Sequence, residues 1–369
     1  MLNAIKKITK NLGIFRHEQT DMQTISFAKS FNDNVTLQNI IAELKNFYFL
    51  ANKGNLGDVL IACAEYQYFE TNKFDYKIFD KNKMPKEPFN LIYGGGGIWT
   101  KYYKDYYSDI LDILKSPMLE RCVILPSSFW ECEDLMEILD YRFTVFCRDE
   151  NSYNYCIQNN SQAKFYLADD MVVKSNFDIF RPQKFFCVNK FNPLNNNFKQ
   201  KRSDTFLEYF KVYKRVKKIK PSRTGYLLRN DCERYYKIGA KDAFDLSGFW
   251  GGECNDIGQS VLLGKTFLSA IDMFDIIVTD RLHVGICAAK LGKEVLLLDN
   301  TYKKISSVYN YSLKEMPNIH FVNKDTFKQE LIYCSQFAQK TSNNTIFKTL
   351  PKNRDEYYLQ YESINQLLS

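Results

Sequence analysis

From about residue 45 the chain alternates short apolar runs with helical spacing. Phe47–Leu50 reads as a strand, Gly54–Asp58 as a turn and Val59–Phe69 as a helix. Phe89–Tyr93 is a second strand, followed at once by four glycines. Cys122–Leu125 and Thr144–Cys147 read as further strands, and Glu133–Leu139 and Ser152–Ile157 as helices. Strands alternating with helices imply βαβ units and a parallel sheet. The rhythm stops at Asn192–Lys220. It resumes with a strand at Tyr226–Leu228, a helix at Phe267–Phe274, a strand at Ile276–Thr279, a helix at Arg281–Leu291 and a strand at Val295–Leu298. That is a second α/β unit, with the boundary expected near residue 180, in Arg181–Lys184. The tail beyond 325 reads as helix, loop and helix, irregular at Phe347–Lys352.

Two segments break the pattern by charge. Leu2, Ile5, Ile8, Leu12 and Phe15 fall at helical spacing among Lys6, Lys7, Lys10 and Arg16. Such a helix docks on its own protein or lies on a membrane surface. The stretch 211–220 holds six Lys or Arg in ten residues. It reads as one solvated helix face, or as a contact for an anionic membrane. No apolar run approaches the ~20 residues of a membrane span, and the start has no apolar core of a secretory signal.

Composition adds bounds. In 369 residues, 45% are apolar and 25% charged, which excludes a disordered chain and allows two α/β units. The net charge of +7 favours anionic ligands without arguing for nucleic acid. Ten cysteines form no C-x-x-C pair, and three histidines argue against a Cys/His zinc site. Scattered cysteines in apolar runs point to a reduced, cytoplasmic setting.

Four segments could carry chemistry, each expected at the carboxyl end of a strand, where open α/β sheets bind ligands. In Gly54-Asn55-Leu56-Gly57-Asp58 the glycines allow a tight turn and the helix start suits an anion. Asp58 is a helix cap or a functional carboxylate there. In Tyr93-Gly94-Gly95-Gly96-Gly97-Ile98-Trp99, four glycines are tolerated where a ligand or another backbone comes close. In Cys147-Arg148-Asp149-Glu150-Asn151-Ser152, Arg148 clamps an anion or pairs with a carboxylate. In Thr279-Asp280-Arg281-Leu282-His283, an Arg and a His sit at a helix start, a place that holds anions. Lys304 follows the next strand, after Asp299-Asn300-Thr301-Tyr302.

Taken in this order, the N-x-G-D turn, the glycine run, the C-R-D-x-x-S segment and the D-R-L-H helix start resemble the polysaccharide pyruvyl transferase family. The resemblance spans about residues 47–310. Its most specific part is D-R-L-H with the stretch around Asn300, Tyr302 and Lys304.

The resemblance implies an α/β fold of two Rossmann-like domains facing across a cleft, as in GT-B glycosyltransferases. The divisions expected are a peripheral amphipathic segment (1–45), a first domain (46–180), a donor-binding domain (181–325) and a helical tail (326–369). It implies an enzyme that moves the enolpyruvyl group of phosphoenolpyruvate onto a sugar of a capsule, exopolysaccharide or cell-wall precursor. The product is a pyruvate ketal, and phosphate is released. His283 would be the general acid and Asp58 the base. Asn55, Gly94, Gly95, Gly96, Arg148, Ser152, Arg281, Leu282 and Lys304 would hold the donor. Family glycine runs continue with Asn and an acidic residue, absent here. Trp99 and Tyr103 then become candidates for an aromatic acceptor platform, or are core. No cofactor, metal or nucleic acid is expected. The acceptor is a glycan or a lipid-linked oligosaccharide, with peripheral contact at the inner membrane face. The alternative enzyme is a nucleotide-sugar glycosyltransferase on the same architecture. A non-catalytic glycan or scaffold protein is a third reading, opposed by the charged constellation.

Overall fold

A computed structural model describes residues 32–176, 198–218, 224–235, 243–323, 325–337 and 355–356. The amphipathic start, the boundary at Arg181–Lys184 and the irregular stretch at Phe347–Lys352 lie outside them.

The chain is mixed α/β, built on two parallel sheets. After helix α1 (Asn32–Glu43) come β1 (Asn46–Leu50), β2 (Gly54–Asn55), α2 (Leu56–Thr71), β3 (Asp75–Ile78) and β4 (Phe89–Tyr93). Then follow α3 (Lys104–Leu114), β5 (Leu119–Ser127), α4 (Glu133–Met136), β6 (Phe143–Cys147), α5 (Glu150–Asn159), β7 (Lys164–Leu167) and α6 (Met171–Lys174). These strands form a six-stranded sheet in the order β3-β1-β4-β5-β6-β7, all pairs parallel, with β2 outside it.

The second half holds α7 (Phe198–Lys218), β8 (Thr224–Leu227), β9 (Gly251–Gly252), α8 (Ile257–Ile271), β10 (Ile276–Thr279) and α9 (Leu282–Lys290). It continues with β11 (Glu294–Leu297), α10 (Lys304–Val308), β12 (Ile319–Phe321) and α11 (Phe327–Phe337). Its sheet runs β12-β11-β10-β8, again parallel. Strands with both faces covered read as continuous apolar runs, and Ile276–Thr279 is buried throughout.

One core joins the halves. Phe49, Val59 and Tyr66 belong to the same apolar cluster as Leu262, Phe267 and Ile277. The Tyr66 hydroxyl donates to the Cys254 carbonyl at 2.9 Å. Gly54–Asn55 pairs antiparallel with Gly251–Gly252, tying the loop before α2 to the second half.

Several elements differ from their sequence pattern. The turn expected at Gly54–Asp58 is a two-residue strand plus the first turn of α2, so Asp58 lies inside the helix and Asn55 is its cap. Helix α8 reaches Ile257, well before Phe267. It is buried almost all round against α2, α7 and α9, so it shows no amphipathic face to read. In the basic stretch, Lys211, Lys214, Arg215, Lys217 and Lys218 are exposed while Val212, Tyr213 and Val216 are buried, which is a solvated helix face. Among the described residues no helix is long and apolar enough to cross a membrane.

Candidate active site

The carboxyl ends of six strands, three from each sheet, meet around one cavity of about 530 Å³. Residues after β1, β4 and β6 line it from the first sheet, and residues after β8, β10 and β11 from the second.

The helix start of α2 forms one wall. The Asn55 side chain accepts from the Gly57 amide at 2.8 Å, and the Asn55 amide donates to Asp58 Oδ2 at 2.9 Å. This reciprocal cap satisfies helix N–H groups and places a carboxylate at the positive helix end. Asp58 Oδ1 accepts from Asn52 Nδ2 at 3.3 Å, and Asn52 Oδ1 accepts from the Tyr93 hydroxyl at 2.8 Å. Burial pushes the Asp58 carboxyl above the usual range, against the opposing pull of His283, the Asn55 amide, Arg148 and Lys304. Both glycines make room for these side chains. A Cβ on Gly54 would overlap the Asp58 carboxylate, and one on Gly57 would stand 2.9 Å from His283 Nδ1.

The start of α9 forms the facing wall. The Thr279 hydroxyl donates to the Leu227 carbonyl at 2.6 Å and accepts from the Arg281 amide at 3.0 Å. Arg281 is the helix cap but makes no side-chain capping bond. Its guanidinium instead holds Asp245, with Nε to Oδ1 at 3.1 Å, and Asp231 Oδ2 at 2.8 Å. His283 Nε2 lies 3.2 Å from Asp170 Oδ2, which also accepts from Arg148 Nη1 at 2.7 Å. Burial alone would raise the Asp170 carboxyl, but His283 and Arg148 outweigh it and hold the group well below the usual range. Arg148 is itself buried and donates from Nε to the Ser128 hydroxyl at 2.9 Å.

A third knot centres on Glu233. It accepts from Arg229 Nη1 at 2.6 Å, Lys304 Nζ at 2.9 Å, Asn300 Nδ2 at 2.8 Å and the Tyr103 hydroxyl at 2.7 Å. Against its burial, Lys304 and Arg229 hold the Glu233 carboxyl low. Burial lowers the Lys304 ammonium, with Glu233 opposing. A Cβ on Gly97 would stand 3.1 Å from Arg148 Nη2 and 3.3 Å from Lys304 Nζ, so this bare backbone keeps the space between two cations open.

Asn55, Asp58, Tyr103, Arg148, Arg281, Leu282, His283 and Lys304 thus share one cavity. Gly94, Gly95, Gly96, Ser152 and Trp99 do not line it. Gly94 and Gly95 are pressed by protein instead, since a Cβ would meet the Asn52 amide at 2.6 Å and the Pro126 carbonyl at 2.5 Å. Gly96 has φ +152° and backs onto the Asn52 side chain, so only Gly97 of the run reaches the cavity. Ser152 is buried and bonds Asp149 and the Phe129 amide. Trp99 is fully buried between Tyr93 and Tyr107, a core residue and not a sugar platform.

Sequence reasoning passed over Asp170, Arg229, Asp231, Glu233 and Asp245. Arg229-Asn230-Asp231 directly follows the strand at Tyr226–Leu228, and the same strand-end rule that marked Arg148 points to it. Asp170 follows β7, where Lys164 is exposed and the next three residues are half-exposed, which gives a weak strand pattern. Among the described residues the one group of His, Cys and carboxylate side chains spaced for a metal is Glu294, His320 and Cys334, none of which lines the cavity.

Residues 55–302 match the family model described as polysaccharide pyruvyl transferase. The chain is also similar to the crystal structure of a functionally uncharacterised protein from Klebsiella pneumoniae subsp. pneumoniae. The two share 25% identity at a TM-score of 0.58, covering 80% of this chain and 100% of that one. No curated protein matches the chain.

Proposed function

The chain belongs to the polysaccharide pyruvyl transferase family, and from that premise we propose that it joins pyruvate, drawn from phosphoenolpyruvate, to a sugar of a surface-polysaccharide precursor. The two sheet-bearing halves, 46–180 and 181–325, act as the two faces of a GT-B-like cleft. The observation that carries this reading is the cavity itself. It sets Arg148, Arg281, Lys304 and the start of α9 opposite a carboxylate, Asp58, kept protonatable by burial.

Phosphoenolpyruvate brings a phosphate and a carboxylate. Arg281, Lys304 and the free helix-start amides near Leu282 bind them. Arg148 Nη2 faces the opening beside Gly97. His283 Nε2 is engaged by Asp170, so Nδ1, on the Gly57 side, holds the proton for transfer. The donor's C=C electron pair takes that proton at the methylene carbon, leaving an oxocarbenium-like centre at C2. A sugar hydroxyl attacks C2 and passes its proton to Asp58. A second hydroxyl of the same sugar then attacks C2, gives its proton back to His283, displaces inorganic phosphate, and closes the ketal. Tyr103, at the cavity wall, is the candidate acceptor contact. No metal or cofactor enters these steps. The acceptor is a glycan or lipid-linked oligosaccharide met at the cytoplasmic membrane face.

Calorimetric titration with phosphoenolpyruvate tests the reading. Wild type should bind, and Arg281→Ala should bind at least about tenfold more weakly, with circular dichroism confirming the fold. Binding of a sugar nucleotide with none of phosphoenolpyruvate would replace it with glycosyl transfer. The activity profile gives a second check. Asp58 must be ionised to accept a proton, so its raised pKa moves the acid limb of kcat/KM upward from the ordinary carboxylate range. Asp58→Asn should lose most activity and that limb together.

A further inference from the structure

Away from the cavity, the second sheet carries another group of reactive side chains. Glu294 opens β11, and His320 lies at the middle of β12. His320 pairs in register with Leu296, two residues beyond Glu294, so Glu294 and His320 stand on one sheet face. Helix α11 covers that face. Glu330 and Cys334 are four residues apart on it and project from one side. Glu294 Oε2 lies 3.0 Å from His320 Nε2, and a Glu294 oxygen, a His320 ring nitrogen and the Cys334 sulfur all fall within 4.8 Å of one another.

We propose that Glu294, His320 and Cys334 form a zinc site that fastens α11 to the second sheet. The donor set argues for the ion. A thiolate, an imidazole and a carboxylate together suit zinc, whereas magnesium and calcium take oxygens. Zinc with arms of about 2.0–2.3 Å sets ligand atoms about 3.3–3.7 Å apart, so the Glu294 and His320 atoms, now 3.0 Å apart, would part slightly, and the Cys334 sulfur, within 4.8 Å of both, would close by at most about an ångström. Glu330 supplies what such sites add. Its Oε2 is 3.7 Å from His320 Nδ1, an ion-pair contact that a small approach would turn into the carboxylate–imidazole hydrogen bond that points Nε2 at a metal. Entry is open, because the His320 and Glu294 side chains are 19% and 21% exposed while Cys334 is fully buried behind them. Three protein ligands leave the fourth position to water. The site is remote from the cavity and independent of the transfer reaction.

The competing role is an ion-pair hub. The His320 ring stands between the Glu294 and Glu330 carboxylates, 3.0 and 3.7 Å away, a contact that needs no metal. Zinc binding releases protons from its imidazole and thiol ligands, so its apparent affinity should rise with pH.

Full-length protein, stripped with chelator, is titrated with zinc chloride by calorimetry and then with cobalt(II) by absorbance. Wild type should take up one zinc and show a thiolate-to-cobalt charge-transfer band. Cys334→Ser and His320→Gln should each bind zinc at least about tenfold more weakly, and Cys334→Ser should lose the band. Cys232 is the exposed cysteine among the described residues, and Cys232→Ser should keep the band. Glu294→Gln, which leaves the buried cysteine intact, keeps the test valid should Cys334→Ser fail to fold, and should also weaken zinc binding. Equal zinc uptake by wild type and the folded variants, or a band lost with Cys232 and not with Cys334, overturns the site and leaves the hub.

Discussion

Helices α2 and α9 point their first turns into the same cavity, yet they are charged in opposite ways. Helix α2 follows local rules. Its cap is Asn55, and its acidic residue, Asp58, sits at the positive helix end. Helix α9 breaks them. It places Arg281 and His283 at its positive end without a side-chain cap, and a cation such as the Arg281 guanidinium costs about 0.3–1 kcal/mol there. That arrangement persists because carboxylates from distant segments hold it: Asp231 and Asp245 on Arg281, and Asp170 on His283. Asp58 would be expected on folding grounds alone. Arg281 and His283 would not, and charge set against local preference marks a functional position more sharply.

The comparison is broken most severely at His283. His283→Gln should cut kcat/KM for phosphate release about 10²–10⁴-fold. Glutamine can still donate to Asp170, which keeps its Arg148 partner, so the fold should hold, with circular dichroism as the check. Retention of more than a tenth of the activity would remove His283 from the proton-transfer role.

Asp170→Asn attacks the support of α9. It leaves Arg148, 1% exposed, without its carboxylate, and breaking a buried pair costs about 3–5 kcal/mol. Urea unfolding measures that loss. The pH dependence carries its sign. A carboxyl held below its unfolded value of about 4 contributes stability above that pH, and the contribution fades as pH falls through the lower folded value. The variant should therefore lie closest to wild type in strong acid. A constant gap between the two at all pH values would show that the Asp170 charge contributes nothing.

Gly57→Ala separates chemistry from stability. Gly57 is helical without positive φ, and alanine improves helix propensity by about 1 kcal/mol. Its methyl would stand 2.9 Å from His283 Nδ1 and 3.0 Å from the capping Asn55 Oδ1, so the propensity gain offsets a weakened cap. Activity should fall at least about tenfold through a displaced imidazole, because small misplacements are costly in catalysis, while the melting temperature holds. Full activity would mean that the ring moves freely or is not used.

What was legible in the sequence follows the same division. Strands buried on both faces, such as Phe89–Tyr93 and Ile276–Thr279, show as apolar runs. Residues that line the cavity after such strands are found by a strand-end rule, which picked out Arg148, Arg281 and His283. Partners brought in by tertiary contact leave no local trace. Asp170 reaches His283 from 113 positions away, and Glu233 gathers Tyr103 from 130 away and Lys304 from 71 away. The glycine run shows the limit of composition. Gly94 and Gly95 answer to neighbouring backbone and Gly97 to the cavity, and nothing in four identical residues separates them.

The smallest effect belongs to the α2 cap. Asn55→Ala removes the acceptor for the Gly57 amide, but the backbone bond from residue 55 to Asp58 survives any side chain. The loss should be about 1 kcal/mol in urea unfolding, and Asn55→Ser should recover most of it, because serine also accepts from a helix amide. Phosphoenolpyruvate affinity then sharpens the contrast between the helix starts. If serine restores stability but not affinity, the Asn55 side-chain carboxamide touches the donor and α2 serves binding as well as folding. If serine restores both, Asn55 acts through the helix, and donor recognition falls to the α9 side of the cavity, where the cations break the local rule.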